Sequence, residues 1–295
     1  MEDKRLTEDE EEAQKLSRRQ FLKKGIRWGG GVIGVSAFYS ILIEPTWFEL
    51  VKSTILIKDL PSAFEGFKVG VMSDFHFGNR LSPREAQDCC QMLMAEKPDL
   101  ILMPGDFLQK GLEWALPDLR DGLPGLTAPL GVFAVLGNHD HMGPVHKIVE
   151  TLDRLGCRTL MNEHLPLSKE GERIWLSGTD DLRRGVYRPD LALAGLPKDE
   201  PRIMLQHTPD ASEELSPDWR VDLAISGHMH GGQAYPFAWI PGVTPSRYGT
   251  KFARGLVQGK GHRVYVTRGI GGQGPGRPRL FSRPEVSLIT LKSDP

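Results

Sequence analysis

The 295-residue sequence has few cysteines, no excess of charge of either sign and no visible internal repeat. Three cysteines cannot build a disulfide framework, and the adjacent Cys89 and Cys90 fall in a predicted helix as buried thiols. Because 37 Lys and Arg balance 38 Asp and Glu, the chain has no global field that attracts nucleic acid, and we expect no nucleic-acid partner. The 39% apolar content supports a large core, which excludes a disordered or fibrous chain.

The N-terminal segment carries a basic motif followed by an apolar run. Arg18 and Arg19 stand in the run SRRQFLKK, which resembles a twin-arginine export signal and implies the twin-arginine translocase as a partner. The sixteen residues from Trp28 to Ile43 carry no charge; as a helix they would span roughly 24 Å, against roughly 30 Å for a bilayer core. The basic flank is expected to stay in the cytoplasm and the following chain to lie outside.

Both a cleaved signal and a retained anchor are compatible with this segment. Small residues at 35–37 offer a passable cleavage site, whereas the apolar continuation from Phe38 to Ile43 favours retention. We therefore expect residues 1–44 to be a cytoplasmic tail plus a twin-arginine signal or membrane anchor. Residues 45–295 are expected at the outer face of the cytoplasmic membrane, or in the periplasm or cell envelope.

Beyond residue 45, apolar strands alternate with helical segments, which is typical of an α/β domain. Ser82 before Pro83 marks a helix N-terminus, because serine caps the first turn and proline is tolerated there. No linker divides this part of the chain, so one domain is predicted. The predicted strands are 67–73, 99–103, 131–136, 174–177, 202–206, 222–226, 263–267 and 285–291, and the predicted helices are 83–96, 112–119 and 145–155.

Five of the predicted strands end in side chains of the kinds that bind metal ions. The carboxyl ends of strands in an α/β sheet gather at one edge, so residues far apart in sequence are expected to meet there. Such a group of Asp, Asn and His would be costly without cations to neutralise it. The candidate ligands are Asp74, His76, Asp106, Asn138, His207, His228 and His230, with His139 beside them.

The composition of this group narrows the choice of metal. Carboxylate, amide and imidazole without thiolate suit divalent ions such as Mn²⁺, Fe²⁺ or Zn²⁺. Seven ligands exceed the four of one tetrahedral ion, so two ions that share a bridging carboxylate fit the count. A single-zinc hydrolase built on His228 and His230 is an alternative, but it leaves Asp74, His76 and Asp106 without a role.

These residues stand in motifs that resemble, in order, those of the calcineurin-like metallophosphoesterases. The motifs are Asp74-x-His76, Gly105-Asp106, Gly137-Asn138-His139-Asp140, His207 and Gly227-His228-x-His230, spread over residues 66–232. The later runs GGQ at 231–233, RGIG at 268–271 and RPE at 283–285 resemble the bacterial exported or membrane-linked branch. The resemblance implies an α/β fold, a four-layer α/β/β/α sandwich with a dinuclear site at the sheet edge.

The same resemblance implies a role for each site residue. Asp74, His76 and His230 would bind one ion, Asn138, His207 and His228 the other, and Asp106 would bridge them. His139 would protonate the leaving alkoxide or stabilise the transition state. The implied reaction is metal-dependent hydrolysis of a phosphodiester or pyrophosphate bond by a metal-bridging hydroxide, with two divalent ions, manganese above all, as cofactors.

The expected location favours a particular kind of phosphate ester. A membrane anchor and the apolar residues Tyr235, Phe237, Trp239 and Ile240 favour a lipid-linked or envelope substrate, such as a UDP-diacylglucosamine-like molecule. Those four residues are also typical of an ordinary packed loop. A non-catalytic metal-binding scaffold on the same fold is the alternative function, although such scaffolds usually have incomplete ligand sets.

The sequence departs from the family pattern after the Gly-Asp motif. Phosphoprotein phosphatases continue it as Gly-Asp-x-x-Asp-Arg-Gly, where the second Asp orients the catalytic histidine. In the run GDFLQKG, Gln109 replaces that carboxylate and the phosphate-clamping arginine is missing. This argues against a protein-phosphatase specialist and leaves the orientation of His139 unexplained. Arg268, Arg277 and Arg283 could contact substrate phosphates or a nucleotide, although arginines in such Gly- and Pro-rich loops are often simply solvated. Asp180 and Asp181 are either a turn pair or hydrogen-bond partners of the metal ligands.

Overall fold

The computed structural model describes residues 33–233, 244–274 and 277–294, together with single positions between 20 and 31. Two six-stranded mixed sheets dominate these ranges. The strands are β1 Glu49–Ile57, β2 Lys68–Val71, β3 Leu100–Met103, β4 Val132–Ala134, β5 Cys157–Thr159, β6 Glu163–Lys169, β7 Glu172–Gly178, β8 Arg202–Leu205, β9 Leu223–Ser226, β10 Gly255–Gln258, β11 Arg263–Val266 and β12 Glu285–Ser293. The α-helices after β1 are α1 Pro83–Met94, α2 Leu116–Gly122, α3 Val145–Arg154 and α4 Pro189–Ala192.

The first sheet has the strand order β1-β12-β2-β3-β4-β5. Strands β2 to β5 run parallel, and α1, α2 and α3 connect them in turn. The C-terminal strand β12 is antiparallel to β2 and parallel to β1. Because helical crossovers return the chain to the same end of the sheet, β2, β3 and β4 all finish at one edge.

The second sheet has the order β10-β11-β9-β8-β7-β6. Its central strands β7, β8, β9 and β11 are parallel, while β6 and β10 pair antiparallel at the two sides. Strands β8 and β9 are buried along their whole length, which explains their continuous apolar sequences. Their carboxyl ends form the second half of the edge at which the site lies.

Four layers stack around these sheets. Apolar side chains of both sheets, such as Leu102 and Ile225, fill the space between them. Leu93 of α1 and Ile148 of α3 belong to the core on the other face of the first sheet. The outer face of the second sheet is covered by α4 and by 3₁₀ turns, with Phe252 in that smaller core. The expected α/β/β/α sandwich is confirmed.

Helix α1 begins and packs as its sequence predicts. The Ser82 hydroxyl accepts a hydrogen bond from the Glu85 N–H at 3.2 Å, and the Glu85 carboxylate accepts one from the Ser82 N–H at 2.8 Å, which forms a capping box. The helix buries Cys89, Cys90 and Leu93 against the first sheet. Burial raises the pKa of the Cys90 thiol to about 12, so it behaves as a small apolar side chain.

The four strands that the sequence patterns missed are β1, β5, β6 and β10, the outermost strands of the two sheets. An edge strand has one neighbour and is largely exposed, so its sequence lacks a continuous apolar run. In β1, for example, Lys52 and Thr54 are exposed, while only Ile55 and Ile57 are buried. Apolar periodicity therefore identified the interior of each sheet and not its borders.

The segment before β1 packs against the loop that precedes β12. The Ser40 carbonyl accepts a hydrogen bond from the Arg279 N–H at 2.8 Å. The Glu44 side chain is fully buried, and its carboxylate accepts hydrogen bonds from the backbone N–H groups of Phe281 and Ser282. The domain boundary at residue 44 stays a prediction. Among the described residues, no helix has both the length and the apolarity needed to cross a bilayer.

Candidate metal centre

Loops at the carboxyl ends of five parallel strands bring all the predicted ligands together. Asp74 and His76 follow β2, Asp106 follows β3, and Asn138 and His139 follow β4, while His207 follows β8 and His228 and His230 follow β9. Six of the seven candidate ligands are buried, and Asn138 is half-buried. Both sheets therefore contribute to one centre, as the strand-end argument predicts.

Two groups of donor atoms meet at Asp106. In the first group, His230 Nε2 lies 3.1 Å from His76 Nε2 and 3.6 Å from Asp74 Oδ1. In the second, His207 Nε2 lies 3.3 Å from Asn138 Oδ1 and 3.2 Å from His228 Nδ1. Asp106 Oδ2 is 3.5 Å from His76 Nε2 and 3.3 Å from His207 Nε2, so it reaches both groups.

The donor atoms fit a pair of divalent cations. Asp106 Oδ2 is buried and has no hydrogen-bond partner, which is costly in a folded protein unless a cation meets it. Ligand atoms bound at about 2.0–2.2 Å to one ion stand roughly 3–3.6 Å apart, in line with the separations around His230 and His207. His207 Nδ1 lies 2.7 Å from the Pro104 carbonyl, a contact that leaves Nε2 free to face the centre.

The backbone at the site is strained in a way that fixes the ligands. Asp74, His76, Asp106, His228 and His230 all have positive φ angles, between 48° and 71°. This left-handed conformation is unfavourable for residues other than glycine and persists only where surrounding contacts enforce it. The chain thus gives up conformational stability to hold these side chains in place.

Carboxylate oxygens and glycines supply those contacts. The His228 N–H donates to both oxygens of Asp74, at 2.9 and 3.1 Å, and the His139 N–H donates to Asp106 Oδ1 at 2.8 Å. A Cβ at Gly137 would lie 2.1 Å from Asp106 Oδ1, and one at Gly227 would lie 2.4 Å from Asp74 Oδ2. The glycines of the motifs are therefore required by the close approach of the carboxylates.

Burial and the Asp106 carboxylate together determine which histidines of the centre are protonated. Desolvation lowers the pKa of His76 to about 3 and holds the pKa of His230 well below its usual value, so both imidazoles are neutral and able to bind a cation. Although burial acts in the opposite direction, the Asp106 carboxylate raises the pKa of His207 to about 10. The centre thus attracts positive charge around Asp106.

His139 is oriented by a backbone group. Its Nδ1 accepts a hydrogen bond from the Lys110 N–H at 3.1 Å, and Lys110 has a left-handed φ of 49°. The neutral ring therefore carries its proton on Nε2. Desolvation lowers the pKa of His139, which favours that neutral form. Lys110 thus orients His139 in place of the missing carboxylate. Because the contact is made by a backbone amide, the sequence does not reveal it.

The arginines proposed from the sequence as phosphate contacts are engaged elsewhere. Arg268 pairs with Glu285 at 2.5 Å and Glu49 at 3.0 Å, and Arg277 pairs with Glu85 at 2.6 Å. The Arg283 guanidinium lies 4.2 Å from the centroid of the Trp47 ring. These contacts tie together the elements around the site. The apolar residues Tyr235, Phe237, Trp239 and Ile240 lie outside the described residues.

Sequence reasoning missed three residues beside the centre. Arg183, Arg184 and Gln273 line a cavity of about 470 Å³ together with Asn138, His139, His228 and Pro245. A signal was present, because Arg183 and Arg184 follow β7, whose carboxyl end lies at the same edge as those of β8 and β9. The strand-end argument covers this loop as well, although it holds no metal-ligating histidine.

The two-sheet sandwich carries buried carboxylates and imidazoles at the common strand edge, and together with the matches to known proteins it identifies a metal-dependent phosphoester hydrolase. The chain belongs to the calcineurin-like phosphoesterase family, whose model matches residues 67–232. Family membership and the clusters of Asp and His indicate divalent metal ions as cofactors.

Relatives match the chain over most of its length. It is 32% identical over 293 residues to the uncharacterized metallophosphoesterase YkuE of Bacillus subtilis (strain 168), covering 95% of this chain and 99% of the relative. It is 32% identical over 290 residues to the phosphodiesterase YaeI of Escherichia coli (strain K12), covering 94% and 99%. An uncharacterized metallophosphoesterase of Aquifex aeolicus (strain VF5) is 30% identical over 254 residues, covering 85% and 94%.

Proposed function

We propose that this chain hydrolyses phosphodiester or pyrophosphate bonds at a pair of divalent cations. Asp74, His76 and His230 would hold one cation, Asn138, His207 and His228 the other, and Asp106 both. The observation that carries the proposal is the unpartnered Asp106 Oδ2, buried between nitrogens of the two groups. The relative named as a phosphodiesterase supports the type of bond.

The side chains around the centre have distinct tasks in this reaction. When bound, the cations would acidify a water molecule and neutralise charge on the phosphoryl oxygens. The His139 N–H holds Asp106 in place, while the Lys110 N–H holds the His139 ring with its Nε2 proton free. His139 lines the cavity, so Nε2 can donate its proton to the leaving oxygen.

Manganese is the metal that we propose first, with iron or zinc next. The donor set consists of carboxylate, amide and imidazole groups, which suit these divalent ions. The three cysteines are buried in the core between the first sheet and its helices, so they supply no thiolate to the centre. Soft metals such as Cu(I) are therefore poor candidates.

We propose that the site works on the outer side of the cytoplasmic membrane after twin-arginine export, anchored to the membrane or free in the envelope. Exposed apolar side chains before β1, such as Ile33, Val35 and Phe38, support attachment to a lipid surface. Glu44 links this segment to Ser282, whose hydroxyl donates to the His230 carbonyl at 2.7 Å. A lipid-linked substrate, such as a UDP-diacylglucosamine-like molecule, would thus meet the site close to the anchor.

One experiment tests the reaction directly. The purified full chain is analysed for bound metal and then assayed with a panel of phosphomonoesters, phosphodiesters and pyrophosphate diesters. We expect two divalent ions per chain and turnover of the phosphodiesters or pyrophosphates. Two bound ions without turnover of any ester would indicate the non-catalytic scaffold instead. A single bound ion would contradict the dinuclear site.

A further inference from the structure

The cavity beside the metal centre is lined by two kinds of side chain. Asn138, His139 and His228 belong to the proposed metal centre, and Arg183 and Arg184 line the same cavity. At about 470 Å³, the cavity has room for more than one phosphoryl group. An anion that binds the cations would therefore extend towards two adjacent guanidinium groups.

The ring of His228 lies between Arg183 and the other proposed ligands. Arg183 Nη1 is 3.1 Å from His228 Nε2, while the other ring nitrogen, His228 Nδ1, faces His207. The same Nη1 donates to the Pro245 carbonyl at 2.7 Å, which directs the guanidinium along the cavity wall. The guanidinium thus lies directly beside the proposed ligand His228.

Neither Arg183 nor Arg184 forms an ion pair in the part of the chain that the structure describes, and both are exposed. By contrast, Arg268 and Arg277 pair with carboxylates. Two neighbouring cations without a counter-ion create a local positive potential that favours an anion.

The loop that carries the two arginines is held by its own aspartates. Asp181 Oδ1 accepts hydrogen bonds from the N–H groups of Arg183 and Arg184, at 3.0 and 2.9 Å, and Asp181 Oδ2 accepts one from the Thr208 hydroxyl at 2.9 Å. Because Thr208 follows the proposed ligand His207, the loop is tied directly to the centre. The Asp181 carboxylate is thus used on backbone N–H groups and on the Thr208 hydroxyl, and not on either guanidinium group.

Asp180 fixes the other end of the same loop. Its Oδ2 accepts from the Val186 N–H at 2.7 Å, and its Oδ1 accepts from the Asp181 N–H at 2.8 Å and lies 2.6 Å from His141 Nε2. A Cβ at Gly185 would lie 2.4 Å from this carboxylate, so the loop requires a glycine there. The arginines are thus presented by a preorganised loop, which lowers the entropy lost on binding an anion.

We propose that Arg183 and Arg184 bind a second phosphoryl group, adjacent to the one that is hydrolysed, so that the site prefers pyrophosphate-linked substrates. This inference rests on the proposed function and narrows its substrate class. A simple phosphodiester carries one anionic phosphorus, which the cations would bind. A pyrophosphate diester carries another anionic phosphorus one bridging oxygen away, and guanidinium forks are suited to bind its oxygens in pairs.

Binding without turnover tests the proposal first. Calorimetry on the manganese-loaded full chain compares methylenebisphosphonate, which has two phosphoryl groups, with methylphosphonate, which has one. We expect a preference of at least about tenfold for the bisphosphonate, which falls below about threefold when Arg183→Gln and Arg184→Gln are combined. Arg188→Gln is the matched control, because the nearby Arg188 pairs with Asp190 at 2.5 Å and does not line the cavity.

Kinetics provide the second readout. For UDP-glucose, a pyrophosphate diester, we expect the double variant to lose at least about tenfold more kcat/KM than it loses for bis(p-nitrophenyl) phosphate, which has one phosphoryl group. An unchanged bisphosphonate preference, or equal losses on both substrates, would overturn the proposal. If the unaltered protein hydrolyses neither substrate, the proposed function fails, and the binding preference still decides the role of the arginines.

Discussion

The floor and the rim of the site are built by different means. We call the seven candidate ligands with His139 the floor, and Arg183, Arg184 and Gln273 the rim. Floor side chains contact one another at 3.1–3.6 Å, and five of them have strained backbone. Rim arginines are positioned through their backbone amides and leave their side chains exposed.

This difference separates reaction chemistry from substrate choice. Most floor residues have little freedom, because five of the eight have a strained φ angle and glycines pack closely against Asp74 and Asp106. A rim arginine can be exchanged without disturbing the fold, since its loop is held by Asp180 and Asp181. Substitutions in the floor should therefore abolish turnover, whereas those in the rim should change which ester is accepted.

The largest effect is expected for Asp106→Asn. Asparagine keeps the size of the side chain but removes the charge placed between the two groups of ligands. We expect metal binding to fall from two ions to one or none, with a loss of kcat/KM on bis(p-nitrophenyl) phosphate of at least about 10³-fold. Elemental analysis and steady-state kinetics measure both.

Asp99→Asn is the matched control for this change. Asp99 precedes β3, at the opposite end from Asp106, and accepts a hydrogen bond from the Lys68 N–H at 2.8 Å. This variant should keep both ions and most of the activity. Retention of two ions by Asp106→Asn, or an equal loss in both variants, would remove Asp106 from its proposed place between the cations.

A smaller loss is expected for His139→Gln. The ring lines the cavity and receives the Lys110 N–H, but it is not among the seven proposed ligands. Both ions should remain bound, while kcat falls about 10²–10³-fold because proton donation to the leaving oxygen is lost. The loss should be smaller for substrates with good leaving groups such as p-nitrophenolate. Unaltered kcat on poor leaving groups would contradict a role in proton transfer.

The sequence predicted the floor better than any other part of the molecule. Each floor residue follows a central, buried strand, and such strands have continuous apolar sequences that can be recognised without a structure. The end of the strand then locates the ligand. The outermost strands β1, β5, β6 and β10 lack this signal, because exposure on one side breaks up the apolar run.

Contacts made by backbone groups were beyond sequence reasoning. The N–H of Lys110 orients His139. Every residue type except proline has a backbone N–H, so the identity of residue 110 gives no sign of this contact. The rim was missed for a related reason, because Arg183 and Arg184 follow β7 without a ligand-type residue to draw attention. Positive φ angles at Asp74 and His228 also depend on tertiary contacts and not on local preference.

Stability should respond to the glycines beneath the floor. In Gly137→Ala, the new Cβ would lie 2.1 Å from Asp106 Oδ1, so the Asp106 loop must shift. We expect the free energy of unfolding of the metal-free protein, measured with urea, to fall by about 1–3 kcal/mol. Gly156→Ala, which meets no atom within 4 Å but has a φ of +77°, should lose only about 1 kcal/mol. Equal losses would mean that close packing at Asp106 adds no constraint.

The smallest effect concerns the support of the rim and depends on pH. The hydrogen bond to Asp180 raises the pKa of His141. His141 therefore stabilises the fold below its unfolded pKa of about 6.5, and this contribution is lost as pH rises through the folded pKa. Burial raises the pKa of Asp180, but the hydrogen bond to His141 and the backbone N–H groups outweigh it, so the pKa is lowered overall. The stability that Asp180 contributes is therefore lost only as pH falls through this lowered pKa.

His141→Gln should accordingly reduce the free energy of unfolding most between about pH 5 and pH 6, by about 1 kcal/mol, and less at pH 8 and above. Urea unfolding at several pH values measures this difference, with His146→Gln as the control, because His146 is exposed on α3. A difference that does not vary with pH would mean that packing, and not charge, connects His141 to the loop. A difference that follows this profile would show that protonation of His141 helps to hold the loop of Arg183 and Arg184 through Asp180, so affinity for a second phosphoryl group should weaken as pH rises.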